Sequence, residues 1–201
     1  MADEIQLQKL TAGGGQIGYS RVVVEARRIE NLALIGFMGT GKSSAGRLIA
    51  NVLHFTYLDT DQVIEVRASK PITEIFEQDG ERVFREWERK VVEELIHRRK
   101  TVISTGGGLP VNEANLLSLK AHALVVCLWA SPETIFERVR GHEHRPLLNQ
   151  PDPLAKIREL LAVREPYYRK ADVLVNTEWR SLSEVAMQVV HQFHLAQSGH
   201  R

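Results

Sequence analysis

The sequence predicts an α/β domain built on a largely parallel sheet. Three observations carry that expectation. From Asn31 onward short apolar runs alternate with longer helical patterns, the rhythm of strand, helix, strand. The strand candidates are short and nearly continuous in apolar residues, as strands covered on both faces are. A glycine-rich turn ending in Lys42-Ser43 joins the first such strand to the first helix. With 201 residues, one domain, alone or with an appendage, is expected, large enough to bury a full core.

Strands are expected at 32–35, 55–58, 102–104, 123–129 and 173–175, where Val, Ile and Leu cluster between polar breaks. Helices are expected at 42–53, 80–98, 113–119, 132–139, 153–168 and 181–196. Ser131-Pro132 reads as a cap followed by proline at the first helical position, and Ser181 to Glu184 as a capping box. The segment 141–153, with three prolines, Gly141, two histidines and Asn149, reads as a long mobile loop. Residues 1–30 stand apart. Gly13, Gly14, Gly15 and Gly18 loosen the backbone, and Val22-Val23-Val24 suffices only for a short strand, so a disordered arm and an extra edge strand are both open readings.

Lys and Arg number 26 against 25 Asp and Glu, a net charge of +1. That balance lacks the basic excess of a nucleic-acid binder and points to small-molecule partners. Hydrophobic residues at 43% and charged residues at 25% exclude general disorder. No run approaches 18 apolar residues, so no membrane span is expected. Asp3 and Glu4 stand where a signal peptide carries basic residues. The single cysteine, Cys127, suits a reducing, cytoplasmic compartment and an inert core position.

The strongest chemical motif is Gly36-Phe37-Met38-Gly39-Thr40-Gly41-Lys42-Ser43, which fits G-x-x-x-x-G-K-[ST] between a strand and a helix. Glycines let consecutive N–H groups and the helix N-terminus face a phosphate chain. Lys42 supplies a charge to the terminal phosphates and Ser43 a hydroxyl for Mg²⁺. A plain glycine-rich turn would not also require the lysine and the hydroxyl. The acceptor is left open, because GTPases, ATPases and small-molecule kinases share the loop.

Asp59 and Asp61 follow the second strand on the carboxyl edge of the sheet. In extended chain they would point to one side about 7 Å apart, so one could support Mg²⁺ while the other meets an acceptor hydroxyl. Helix capping is the competing reading. Arg85 and Glu88 share a helix face and can pair. Thr105-Gly106-Gly107-Gly108 follows the third strand, where missing side chains would let a ligand reach backbone N–H groups; a plain flexible turn is equally open. His142 and His144 lack companion ligands of metal-site spacing. His191 and His194 suit a solvated helix face, and Arg98-Arg99-Lys100 a helix C-terminus. Trp87 and Trp129 read as core residues, with Trp87 also a possible wall of the acceptor pocket.

In order, GFMGTGKSSAGRLIA, LDTDQVIE, IFEQDGERVFREWE, STGGGLPVNEANL, RPLL and REPYYRKAD closely resemble the shikimate kinase family, from Asn31 to about Thr177. The resemblance implies a three-layer P-loop kinase fold with five parallel strands in the order 2-3-1-4-5, and ATP-dependent phosphorylation of the 3-hydroxyl of shikimate. It implies nucleotide contacts at Gly39, Thr40, Gly41, Lys42, Ser43, Ser44, Arg138 and Arg145, with Arg138 stacking on adenine. Ser43 and Asp59 would serve Mg²⁺. Asp61, Arg85, Gly106, Gly107, Gly108 and Arg164 would hold shikimate, Arg85 and Arg164 gripping its carboxylate. Lys42, Asp61 and Arg145 would be the catalytic set, Asp61 as base or hydroxyl orienter and Arg145 delivered by a lid at 141–153.

The expected partners are ATP and shikimate, with neither nucleic acid nor membrane among them, and the expected state is a cytoplasmic monomer. Ser44 replaces a more frequent threonine, and Ser69-Lys70-Pro71-Ile72 a more usual glycine-containing turn. Residues 1–30 have no counterpart in the minimal family domain, which would occupy 31–201. A gluconate-type kinase would carry a different acceptor region, and Arg85 with the triple glycine argues against it. A nucleotide-binding regulatory module would be expected to lose Asp61 or Arg145, and a GTPase to carry N-K-x-D, which does not occur.

Overall fold

The structure is a computed structural model that describes residues 5–11, 17–23, 27–140 and 151–198. Five strands, β3 (Asn31–Ile35), β4 (Thr56–Asp59), β5 (Thr101–Ser104), β6 (Ala123–Trp129) and β7 (Val173–Asn176), form one parallel sheet in the order β4-β5-β3-β6-β7. Counted from β3, that is the expected 2-3-1-4-5.

The central strand explains the layers. All five residues of β3 are buried. Leu32 and Leu34 join a cluster with Ala45 and Ile49 of α1 (Lys42–Leu53) and with Val185, Val189 and Phe193 of α8 (Leu182–Ser198). Ala33 and Ile35 point the other way. They meet Val91 and Leu95 of α4 (Gly80–Leu95), Leu116 of α5 (Glu113–His122), Ile135 of α6 (Pro132–Val139) and Ile157 of α7 (Pro153–Tyr168). Alternate residues of one strand thus feed two apolar layers. Each fully buried Leu or Ile contributes about 1.5–3 kcal/mol.

Helix starts follow the sequence closely. Ser131 Oγ accepts from Thr134 N, and Ser181 and Glu184 bond reciprocally through Ser181 N–Glu184 Oε2 (2.7 Å) and Glu184 N–Ser181 Oγ (3.2 Å). Two expectations need correction. Helix α4 stops at Leu95 rather than 98, because His97 N and Arg98 N bond back to Glu94 O and Leu95 O and tighten the chain out of the helix. Residues 60–79, unassigned from the sequence, hold α2 (Thr60–Ala68), a short α3 (Ile72–Glu74) and one wide turn at Ile75–Asp79 running into α4. Ser69 takes the left-handed conformation (φ 55°) at the end of α2, the backbone state that a glycine in that turn adopts more easily.

The N-terminal reading is also amended. Strands β1 (Ile5–Thr11) and β2 (Ile17–Val23) pair antiparallel in a sheet of their own rather than adding an edge strand to the parallel one. Residues 27–30 belong with the main body. Arg27 bonds Asp172 Oδ1 at 2.9 Å, Ile29 is buried, and Ile29 O accepts from Gln197. No helix among the described residues is long and apolar enough to cross a membrane.

Candidate active site

The phosphate loop leaves β3 at Gly36, whose φ of +133° and approach to the Leu128 carbonyl leave no room for a Cβ. Gly41 (φ +91°) opens α1 with no side-chain cap, so first-turn N–H groups keep their hydrogen-bonding capacity for an anion. Lys42 is buried, and its Nζ donates to Gly36 O and Phe37 O, each at 2.8 Å. The ammonium therefore sits inside the loop whose anion it would meet. Thr40 is buried and turns its hydroxyl inward to Phe37 O (2.8 Å). Ser43 and Ser44 are exposed and line the cavity beside the loop.

Asp59 and Asp61 straddle the end of β4 rather than sharing one extended segment. Asp59 caps α2, its Oδ1 accepting from Asp61 N (3.1 Å), while its Oδ2 accepts from Ser43 Oγ (3.2 Å) and Tyr57 OH (3.0 Å). Capping and site geometry are thus one arrangement, not alternatives. Asp61, on the first turn of α2, has a buried Oδ1 with no hydrogen-bond partner. Burial first, then the neighbouring charges of Asp59 and Glu88, push its pKa up to about 7, against the lowering influence of Lys42. Thr60 between them is fully buried and accepts from Gly106 N (3.1 Å), tying the triple glycine to the carboxylates.

The three glycines each leave space for a different group. A Cβ on Gly106 would stand 2.5 Å from Asp61 Oδ1, on Gly107 3.4 Å from Arg164 Nη1, and on Gly108 2.6 Å from Arg85 Nη1. Arg85 Nη1 donates to Glu88 Oε2 (2.7 Å) and Nη2 to Glu81 Oε1 (2.8 Å). Glu88 is buried with Oε1 unpartnered. Burial raises its pKa, against the pull of Arg85 and then Arg164. The Arg85–Glu88 pair, which helix spacing allowed, is therefore half inside the cavity wall. Arg164 lies over the Phe37 ring (5.3 Å), and Tyr168 OH donates to Gly107 O (2.7 Å).

Lys42, Ser43, Asp59, Asp61, the triple glycine, Arg85, Arg138 and Arg164 all line one cavity of about 540 Å³. A second of about 270 Å³ continues past Gly39 and Gly41 to Thr177, Arg180 and Leu182. Arg138 stands between them, fixed by Thr177 Oγ1 (2.9 Å) and Thr177 O (2.7 Å). Arg145 and residues 141–150 of the expected lid lie outside the described residues, as do His142 and His144. Trp87 packs against the core under Lys90 and does not line the cavity. Cys127 is fully buried, its thiol pushed up to about 12 by desolvation.

Sequence reasoning missed Thr60, Tyr168, Thr177 and the burial of Glu88. Tyr168 lies in the quoted REPYY run; the other three are marked only by their contacts in the fold.

The shikimate kinase family profile matches residues 38–194. A shikimate kinase of Thermodesulfovibrio yellowstonii is 40% identical over 171 residues, covering 85% of this chain and 99% of the relative. The solved shikimate kinase from Acinetobacter baumannii in complex with shikimate superimposes with a TM-score of 0.79 at 34% identity, over 84% of this chain and 95% of that one. A gluconokinase from Sinorhizobium meliloti, with a TM-score of 0.57 and 18% identity over 86% of this chain and 97% of that one, shares the fold alone. At this agreement in sequence, length and shape, the chain belongs to the shikimate kinase family.

Proposed function

We propose that the protein transfers the γ-phosphoryl group of ATP to the 3-hydroxyl of shikimate, giving shikimate 3-phosphate and ADP on the route to chorismate and the aromatic amino acids. The observation that carries the reading is the buried, unpartnered Oδ1 of the Asp61 carboxyl, set in one cavity between the phosphate loop and the two arginines Arg85 and Arg164. An acceptor whose carboxylate is held by the arginines places a hydroxyl at Asp61. Asp61 orients that hydroxyl and takes its proton as the oxygen attacks phosphorus and ADP leaves.

Lys42 and the first N–H groups of α1 hold the phosphates, and Arg145 is assigned to the transferring group from the sequence motif. Arg138, hydrogen-bonded to Thr177, flanks the smaller cavity, whose size and position next to the loop suit the adenine.

Mg²⁺ is the expected metal, and it fits the donors present. Ser43 hydroxyl and Asp59 carboxylate are hard oxygen ligands 3.2 Å apart, and Mg²⁺ takes few protein ligands, completing its shell with phosphate and water. Among the described residues no group of three or more His, Cys, Asp or Glu gathers to hold a metal. When bound, the ion neutralises charge on the phosphates. The reading also includes a cytoplasmic monomer that has small-molecule partners only, a catalytic domain at 31–201 joined by residues 27–30, and the rest of the N-terminus as an extension.

Incubating purified protein with ATP and shikimate, followed by phosphorus NMR, tests the activity. Appearance of a phosphate monoester coupled to H3 is expected, and ADP release with no such product rules the reaction out. Arg85→Ala will weaken shikimate binding about ten- to a hundredfold, the worth of one charge-assisted pair, with little change for ADP. Arg85→Lys will rescue poorly, lacking the fork. Separate calorimetric titrations of shikimate and ADP check it; equal losses for both ligands would overturn the assignment. The same variant will unfold more readily, because Glu88 keeps its buried carboxylate without its partner.

A further inference from the structure

We infer that Tyr57 is a positioning residue for the metal side of the site, its hydroxyl holding the Asp59 carboxylate in the orientation in which it faces Ser43. Tyr57 stands two residues before Asp59 on β4, so both side chains leave the same face of the strand. Its hydroxyl donates to Asp59 Oδ2 at 3.0 Å, the oxygen that also accepts from Ser43 Oγ at 3.2 Å. The other carboxylate oxygen accepts from Asp61 N. Were the Ser43 hydroxyl to hold a metal ion, its bond to Asp59 would be the one given up. The bonds from Tyr57 and Asp61 N remain, one on each oxygen, and they fix the plane of the carboxylate. Outer donors of this kind set the orientation of a metal-facing carboxylate and are felt in metal affinity.

The ring that carries the hydroxyl is itself placed by its surroundings. Gly46 lies inside α1, where glycine is unfavourable relative to alanine, and a Cβ there would stand 2.8 Å from Tyr57 Cε2. The missing side chain is therefore the space the ring occupies. Arg47 covers the ring with its guanidinium 5.1 Å from the centroid, and the apolar edge packs against the cluster that includes Leu34 and Ile49. A phenylalanine would meet every one of these packing contacts. What tyrosine adds at this position is its hydroxyl, bonded to Asp59 with the Ser104 and Ser43 hydroxyls also interacting with it.

The inference rests on the proposed metal role of Ser43 and Asp59, and the test separates the two. The probe is Mn²⁺, titrated by electron paramagnetic resonance into the full-length protein with ADP and without shikimate. Tyr57→Phe is expected to weaken Mn²⁺ binding to the ADP complex about tenfold, leaving metal-free ADP binding and shikimate binding unchanged. In turnover, the half-saturating Mg²⁺ concentration should rise by the same factor and kcat recover at high Mg²⁺, a pattern that a general loss of packing would not give. Gly46→Ala, which displaces the ring but keeps the hydroxyl, should shift Mn²⁺ affinity in the same direction. Unchanged Mn²⁺ affinity in Tyr57→Phe, or equal losses of Mn²⁺, metal-free ADP and shikimate binding, overturns the positioning role alone. Failure of the wild-type ADP complex to bind Mn²⁺ overturns both the metal reading and the inference.

Discussion

Asp61→Asn will lower kcat by about 10²–10⁴, the usual worth of a positioned proton acceptor, and will erase the acid limb of the pH profile. With the carboxyl pushed up to about 7 in the free protein, kcat/KM of the wild type for shikimate should rise through pH 7 and level above it. The stability consequence has the opposite direction. A carboxyl with its pKa raised on folding stabilises the fold fully below its unfolded pKa, near 3.9, and loses that contribution as pH climbs through 7. Asp61→Asn should therefore gain stability relative to wild type on going from pH 4 to pH 8. Rate profiles and urea midpoints across this range check both limbs. A wild-type profile flat between pH 5.5 and 8, with chemistry shown to be rate-limiting, would falsify the assignment of Asp61 as base.

Lys42→Ala will lower kcat about a thousandfold, the scale on which a single preorganised donor to a developing anion acts. The fold should survive, because the ammonium bonds two loop carbonyls, Gly36 O and Phe37 O, rather than filling the core. A second effect follows from its charge. Lys42 lowers the pKa of Asp61, so whatever activity remains should show its rising limb displaced to higher pH. Coupled ADP release, far-ultraviolet circular dichroism and the residual pH profile together decide the matter. Near-wild-type turnover, or a limb that moves to lower pH, contradicts the role.

The sheet was legible because β3, β5 and β6 are buried along their whole length, or nearly so, and two-sided burial writes itself as an unbroken apolar run. Helix α2 was not. Only Thr60 and Ile64 of its nine residues are buried while Val66 is 79% exposed, so its apolar residues mark no single face and the 3.6-residue period is lost. The phosphate loop could be read because its geometry depends on glycines at fixed offsets. Glu88 could be read only as the partner of Arg85. Its burial arises from long-range packing of α4 beside the glycine turn, which helix spacing does not encode. Asp59 was read as either cap or metal-side carboxylate, and the fold uses its two oxygens for the two tasks.

The turn after β5 is a cast of the proposed acceptor site, each glycine the negative imprint of one neighbouring side chain. A methyl group added at successive positions thus becomes a set of probes that dissects the site without altering the groups themselves. At Gly106 it meets the carboxylate of Asp61 and should fall on kcat. At Gly108 it meets the guanidinium of Arg85 and should fall on KM for shikimate. At Gly107, where the added carbon would stand 3.4 Å from Arg164 Nη1 in ordinary contact, it should be the mildest of the three. The steric grain of one tripeptide would then separate bond-making from holding, as a mould preserves the separate fingers of a hand.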